Sequence, residues 1–285
     1  MQALIEKRSA PVQGRPEIPV RAPRFDFSEP IPLFWLHDNA WLSFMFDGFN
    51  LTFPKGERSF VRAVHNHLEL VKDPELKAQM RAFAGQEGQH ARAHEGVIAA
   101  LRAQGFELDA FFAAFDAYMA KAEKRPRAVR LAATAALEHY TAVMADLVFE
   151  GDLAQGTYEP LRKLLLWHAV EELEHRAVAF DVLKATNPSY ALRMLGFVLG
   201  TLTLFRWTYA GMRVFIVQSG VSRARMWRDM RATGRMVGGV PSLLARIGAY
   251  LLPGFHPNQH GDLTQALQIL RAEGLDVAPP VATAG

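Results

Sequence analysis

Two glutamate–histidine pairs, Glu87 with His90 and Glu172 with His175, stand three residues apart in segments whose apolar residues recur at helical steps of three and four. In the second segment the stripe runs Leu161, Leu165, His168, Glu172, His175, Ala179, Val182. In the first it runs Leu76, Met80, Phe83, Glu87, His90, His94, Val97, Leu101. Ionisable groups therefore interrupt the faces that ought to be buried. A buried carboxylate is costly unless a hydrogen-bonding partner or a cation compensates it. A glutamate and a histidine three apart share one helix face and can hold one ion. A single such pair in an acidic helix arises readily by chance; the repetition is what carries weight. Glu171 and Glu174 fall off the stripe and belong to the surroundings of a site or to solvent.

These residues need helices to position them. Phe34 to Phe53 is dense in aromatics and ends at Pro54 and Gly56, so a bundle helix is expected to start near Glu57 and continue its stripe through Val61, Val64, Leu68 and Val71. Taken alone, Glu57 reads more readily as a first-turn glutamate favoured by the helix dipole than as a ligand. Asp73-Pro74-Glu75 is a helix start and Gly105 the matching stop. Leu108 to Glu123 forms a shorter amphipathic piece suited to a crossover. Arg127 to Glu150 is an alanine-rich helix with Leu131, Ala135, Glu138, Ala142 and Ala145 on one face. Thr157, Glu159 and Pro160 open the helix of Glu172, and Asn187-Pro188 ends it.

Four helices thus offer Glu57, Glu87, Glu138 and Glu172 from apolar stripes, with His90 and His175 added on two of them. Glu57 precedes Glu87 by 30 residues and Glu138 precedes Glu172 by 34, so the halves repeat. This is the ligand set of carboxylate-bridged dinuclear sites in four-helix bundles, which makes the expected class all-α. Oxygen and imidazole donors without a thiolate suit two iron ions, with manganese or a mixed Mn/Fe pair as alternatives.

The stretches FPKGERSF (53–60), FAGQEGQHARAHE (83–95), TAALEHYTA (134–142) and LWHAVEELEHRAVAFDV (166–182) resemble the ferritin-like family that is described as predicted metal-dependent hydrolases. The resemblance spans roughly residues 28–190. It implies a metal site held by Glu57, Glu87, His90, Glu138, Glu172 and His175. By analogy with di-iron bundles, Glu87 and Glu172 bridge the metals. His94, His139, His168 and Glu171 are additional to the minimal set, as extra ligands or as supports, with His94 the foremost candidate. The first functional reading is O2-dependent oxidation of an apolar, lipid-like small molecule. The family description supplies the alternative, a hydrolase using a metal-bridging hydroxide. A non-catalytic metal- or lipid-binding bundle is the third reading.

At 285 residues, half of them hydrophobic, the chain can bury one large core. It has no cysteine, which excludes disulfides, thiolate metal sites and cysteine nucleophiles. The expected organisation is an extended Pro/Arg-rich arm at 1–33, the ferritin-like bundle at 34–188, an apolar and basic helical region at 189–274 and a disordered tail at 275–285. From Lys184 to Arg246 ten basic residues face one acid, Asp229, so this part carries +9 of a formal total of +3 and the rest carries −6. The apolar run that precedes the arginines is uncharged only over the twelve residues Met194 to Phe205, against about 18 for a spanning helix. It is expected to pack on the bundle, to meet an anionic membrane surface, or to join two subunits as a homodimer. Nucleic acid is disfavoured because no recognised motif accompanies the charge. A cytoplasmic location, peripheral on the inner membrane face, fits these features.

Overall fold

The computed structural model describes residues 15, 17–150, 153–154, 156–236, 239–259 and 263–278. Its first helix, α1 (Ala40–His65), begins where the Asn39 side chain accepts from the amide of Leu42. α2 (Pro74–Ala103) opens on Asp73, whose carboxylate accepts from the amides of Glu75 and Leu76, with Pro74 in the first turn. It ends before Gly105, which takes a φ of +94°. α3 (Asp109–Ala122) crosses to α4 (Arg127–Glu150), and α5 (Glu159–His175) and α6 (Val178–Thr186) follow. The remaining helices are α7 (Tyr190–Ser219), α8 (Arg223–Met236), α9 (Val240–Ala249) and α10 (Leu263–Ala272), with a 3-10 turn at Pro257–Gln259. The fold is all-α, and no strand occurs among the described residues.

Two expected boundaries are corrected. α1 does not start near Glu57: it runs without a break through Pro54, so Glu57 lies well inside it. A proline in a helix interior costs about 3 kcal/mol, and the burial of α1 against both α2 and α7 outweighs that local preference. The helix of Glu172 does not continue to Asn187 either. It breaks at Arg176–Ala177, immediately after His175, and the hydrogen-bond ladder restarts with the amide of Asp181 on the carbonyl of Ala177.

The core is divided, and the division passes through the same level of four helices. One apolar cluster contains Leu51 of α1, Val97 and Leu101 of α2, Ala145 and Val148 of α4, and Leu161 and Leu166 of α5. The other contains Val64 of α1, Leu76 and Phe83 of α2, Leu131 and Ala135 of α4, and Val178 and Val182 of α6. Glu57, Glu87, Glu138 and Glu172 all lie between the two sets. Along the chain α1 and α5 run from the first cluster to the second, whereas α2 and α4 run back. α2 and α4 are therefore parallel, which is why the crossover through α3 has to separate them.

α7 lies across α1 and α4, seated by glycines. A Cβ on Gly48 would meet the carbonyl oxygen of Thr208 at 2.5 Å, and one on Gly196 would meet the backbone of Ala132 at 2.3 Å. Only glycine permits such backbone approach. The opposite side of α7 exposes Leu195, Val198, Leu202, Phe205, Tyr209 and Val217. No helix among the described residues is long and apolar enough to cross a membrane.

The arm residues from 17 onward are extended and lie along α2, with Ile18 and Arg21 buried and Val20 filling the space over Gly85. The C-terminal segment from 275, expected to be disordered, is ordered as far as 278. Leu275 is buried, and the carbonyl of Val277 accepts from the amide of Ala22. Residues 1–14 and 16 of the arm and 279–285 of the tail lie outside the described residues.

Candidate metal centre

The dividing layer gathers Glu57, Glu87, His90, Glu138, Glu172 and His175 into one buried cluster, together with His94 and His168. His175 Nε2 lies 3.4 Å from Glu87 Oε1, from Glu138 Oε2 and from Glu172 Oε2. These contacts exceed the usual hydrogen-bond distance, so the four groups converge on a common point without pairing. On the other side, His168 Nε2 is 2.8 Å from Glu172 Oε1 and 3.8 Å from Glu57 Oε1, and His90 Nδ1 is 3.8 Å from Glu172 Oε1. His94 Nε2 is 4.0 Å from Glu57 Oε1.

Four overlapping triads each bring donor atoms within 4.8 Å of one another: Glu87, Glu138 and His175; Glu57, His94 and His168; His90, His168 and Glu172; and Glu57, Glu87 and His90. Glu87 belongs to two of them, and the two oxygens of Glu172 face opposite ways, Oε1 toward His168 and Oε2 toward His175.

The electrostatics are those of a site built for cations. Both carboxyl oxygens of Glu57, Glu87 and Glu138, together with Glu172 Oε2, His90 Nδ1 and His175 Nε2, are buried without a hydrogen-bond partner among the described residues. Burial raises Glu57 and Glu87 well above the usual carboxylate range, and repulsion from the neighbouring glutamates adds to it. Glu138 is pushed up to about 7 by burial, against the pull of His175. For Glu172 burial acts upward too, but His175 and His168 outweigh it and hold the group well below its ordinary value. Burial lowers His175, yet Glu172 and Glu138 overcome that and raise it well above the normal imidazole range. One imidazolium cannot compensate four carboxylates; bound cations could. Unsatisfied oxygens and imidazole nitrogens on one buried layer, with no thiolate, fit hard or borderline metal ions.

A ring of supports orients the donors. His90 Nε2 donates to Glu171 Oε2 at 3.0 Å, which leaves Nδ1 turned toward the cluster. His175 Nδ1 donates to Gln86 Oε1 at 2.8 Å, leaving Nε2 turned inward. The Gln86 amide donates in turn to Glu174 and to the carbonyl of Pro19. Arg21 donates to Glu174 through two nitrogens and to Glu171, so the arm supplies the countercharge for both. Burial pushes Glu171 up to about 8 despite Arg21. Partners of this kind fix the tautomer and ring orientation of metal-ligating histidines. Glu171 and Glu174 are thus supports and not solvent-facing groups.

Among the additional candidates, His94 and His168 enter the cluster and His139 does not. Next to Glu138 on α4, His139 points away to α9, where its Nε2 donates to the carbonyl of Arg246 at 3.1 Å and its ring stacks on Tyr250. The sequence reading missed Gln86, Arg21 and Asn50, whose Oδ1 lies 2.7 Å from His94 Nδ1. Only Gln86, beside Glu87, carried a local hint.

An apolar pocket reaches this layer. Trp35, Phe46, Phe53, Met144, Leu164 and Leu165 form much of its wall, and Asn50, Thr141, His94, His168 and Glu172 are its polar members.

The family model described as "Predicted metal-dependent hydrolase" matches residues 19–261. No curated protein and no solved structure matches the chain.

Proposed function

Because the chain belongs to the predicted metal-dependent hydrolase family, we propose that it is an enzyme working through a two-ion centre in the layer that divides its core. The observation that carries this reading is the set of unpartnered, buried carboxylate and imidazole atoms contributed by all four bundle helices. Glu57, Glu87, Glu138, Glu172, His90 and His175 would hold the ions. Two such ions, when bound, supply Lewis acidity and a water made nucleophilic at neutral pH.

The chain's own residues do the rest. Glu171 and Gln86 hold His90 and His175 in their donor orientation, and Arg21 compensates Glu171 and the Glu174 that accepts from Gln86. The walls around Trp35, Phe46 and Leu165 bind an apolar substrate and exclude water from the layer. Asn50 and Thr141 offer the polar contacts that orient it.

Hydrolysis is supported by the family's description. A second reading, O2-dependent oxidation of an apolar molecule, is favoured by the donor set, which is rich in carboxylate, free of thiolate and suited to iron or manganese. Metal-stripped protein reloaded anaerobically with Fe(II), Mn(II) or Zn(II) separates the two. Cleavage of a chromogenic ester by the Zn(II) and Mn(II) forms without O2 supports hydrolysis. Oxygen consumption confined to the Fe(II) form, with no cleavage by any form, supports oxidation. Protein that retains no ion after loading removes both.

A further inference from the structure

The pocket and the metal layer meet asymmetrically. Its lining includes His94, His168 and Glu172, whereas Glu57, Glu87, His90, Glu138 and His175 form no part of it, so the layer meets the pocket through the His94–His168 side. Phe53, a wall residue, packs on both lining imidazoles, with ring centroids 4.5 Å from His94 and 5.0 Å from His168. Resting on the two-ion reading above, we infer that the two ion positions have different duties. The one beside Glu57, His90, His94 and His168 takes the substrate's donor atom from the pocket. The one beside Glu87, Glu138 and His175 is closed and structural.

The imidazole count supports this division. His175 alone serves the closed position, while His90, His94 and His168 crowd the other. Asn50 sets the state of the extra pair. With His94 Nδ1–H donating to Asn50 Oδ1, His94 Nε2 carries a lone pair and accepts from His168 Nδ1–H at 2.8 Å. His168 Nε2 then also carries a lone pair, and it faces Glu172 Oε1 at 2.8 Å and Glu57 Oε1 at 3.8 Å. A lone pair opposed to a carboxylate oxygen is relieved by a proton or a cation between them. In this arrangement His168 Nε2 is the nitrogen left to ligate, facing Glu172 and Glu57, while His94 Nε2, 4.0 Å from Glu57 Oε1, would ligate by giving up its bond from His168. The substrate class that follows is an apolar molecule carrying one oxygen donor, its tail among Phe46, Met144, Leu164 and Leu165.

The test uses the full chain loaded with Co(II), whose visible spectrum reports changes in coordination, and octanoate as the probe. The wild type is expected to hold about two ions per chain, and His94→Ala with His168→Ala about one. Octanoate should shift the wild-type spectrum saturably and leave that double variant unchanged. Glu138→Ala with His175→Ala should also lose one ion yet keep the octanoate response. Leu165→Trp removes no donor, so it should keep both ions while weakening octanoate at least about tenfold, or about 1.4 kcal/mol. A response that survives in His94→Ala/His168→Ala and vanishes in Glu138→Ala/His175→Ala overturns the assignment, as does a wild type with two ions that ignores octanoate. A wild type holding fewer than two ions overturns the two-ion reading itself, and this inference with it. Circular dichroism checks each variant's helices, and the Leu165→Trp result stands even where a histidine variant fails to fold.

Discussion

The dividing layer of the bundle and the outer face of α7 both break the rule that apolar residues go inside, and they break it in opposite directions. In the layer, the carboxylates of Glu57, Glu87 and Glu138 and the Nε2 atom of His175 are buried without ordinary partners. On α7, Leu202 is 64% exposed, Phe205 61% and Val217 70%. Both regions are helical and follow the same periodicity. What differs is the direction of the unmet demand: the layer lacks positive charge, whereas the outer face lacks an apolar cover. The first can be met by ions the size of a single atom, the second only by a surface. The charge distribution follows the same split, with arginines concentrated from Arg193 onward and the unpartnered carboxylates confined to the bundle.

The largest effect that tests this contrast is removal of the shared carboxylates. Glu87→Ala with Glu172→Ala is expected to abolish dinuclear binding, lowering metal analysis from about two ions per chain to below one, because neighbouring cations then repel without compensation. Retention of two ions would show that the layer's demand is met in some other way.

Metal removal should also expose a pH dependence. Glu57, Glu87 and Glu138 have folded values above their ordinary one of 4.5, with Glu138 at about 7. An acid with a raised folded value favours folding when protonated, so that contribution is lost as pH rises from 4.5 through about 7. His175, also raised, loses its contribution in the same upward direction. Glu172 is lowered and acts oppositely, on the acid side. The melting temperature of stripped protein is expected to fall between pH 5 and pH 8 by this account, and Mn(II) should restore it most at the upper end. A flat profile would mean that the carboxylates find partners in solution.

Arg21 comes next. Its guanidinium is buried against Glu171 and Glu174, so Arg21→Ala leaves two buried acids without their cation and should cost about 3 kcal/mol in urea unfolding. Gly48→Ala tests the seat of α7, because the new Cβ would fall 2.5 Å from a backbone oxygen. Overpacking of that kind costs about 2 kcal/mol, and the same denaturation experiment reads it. The smallest effect is expected on the outer face, where Leu202→Ser with Phe205→Ser should move stability by no more than about 0.5 kcal/mol. A loss several times larger, accompanied by a changed sedimentation coefficient, would show the face to be covered in solution.

The sequence by itself determined what depends on spacing along one helix. Glu87 with His90, and Glu172 with His175, share a face because three residues make nearly one helical turn, and apolar neighbours on that face mark it as buried. The capping chemistry of Asp73 and Pro74 fixed the start of α2 in the same local way. What it could not determine depends on contacts between segments far apart in the chain. Pro54 signalled a stop, and only burial of α1 on two neighbours carries the helix past it. His94, His139 and His168 were all additional candidates, with His94 foremost. The rotation of each helix against the others turned His94 and His168 toward Glu57 and left His139 facing α9. Arg21 reaches Glu171 across 150 residues, and no local pattern encodes such a pairing, because its energy comes from two buried charges meeting in the folded state. Residue type and periodicity fix the donors and the faces that carry them, whereas helix rotation and long-range burial decide which donors converge and which pocket reaches them.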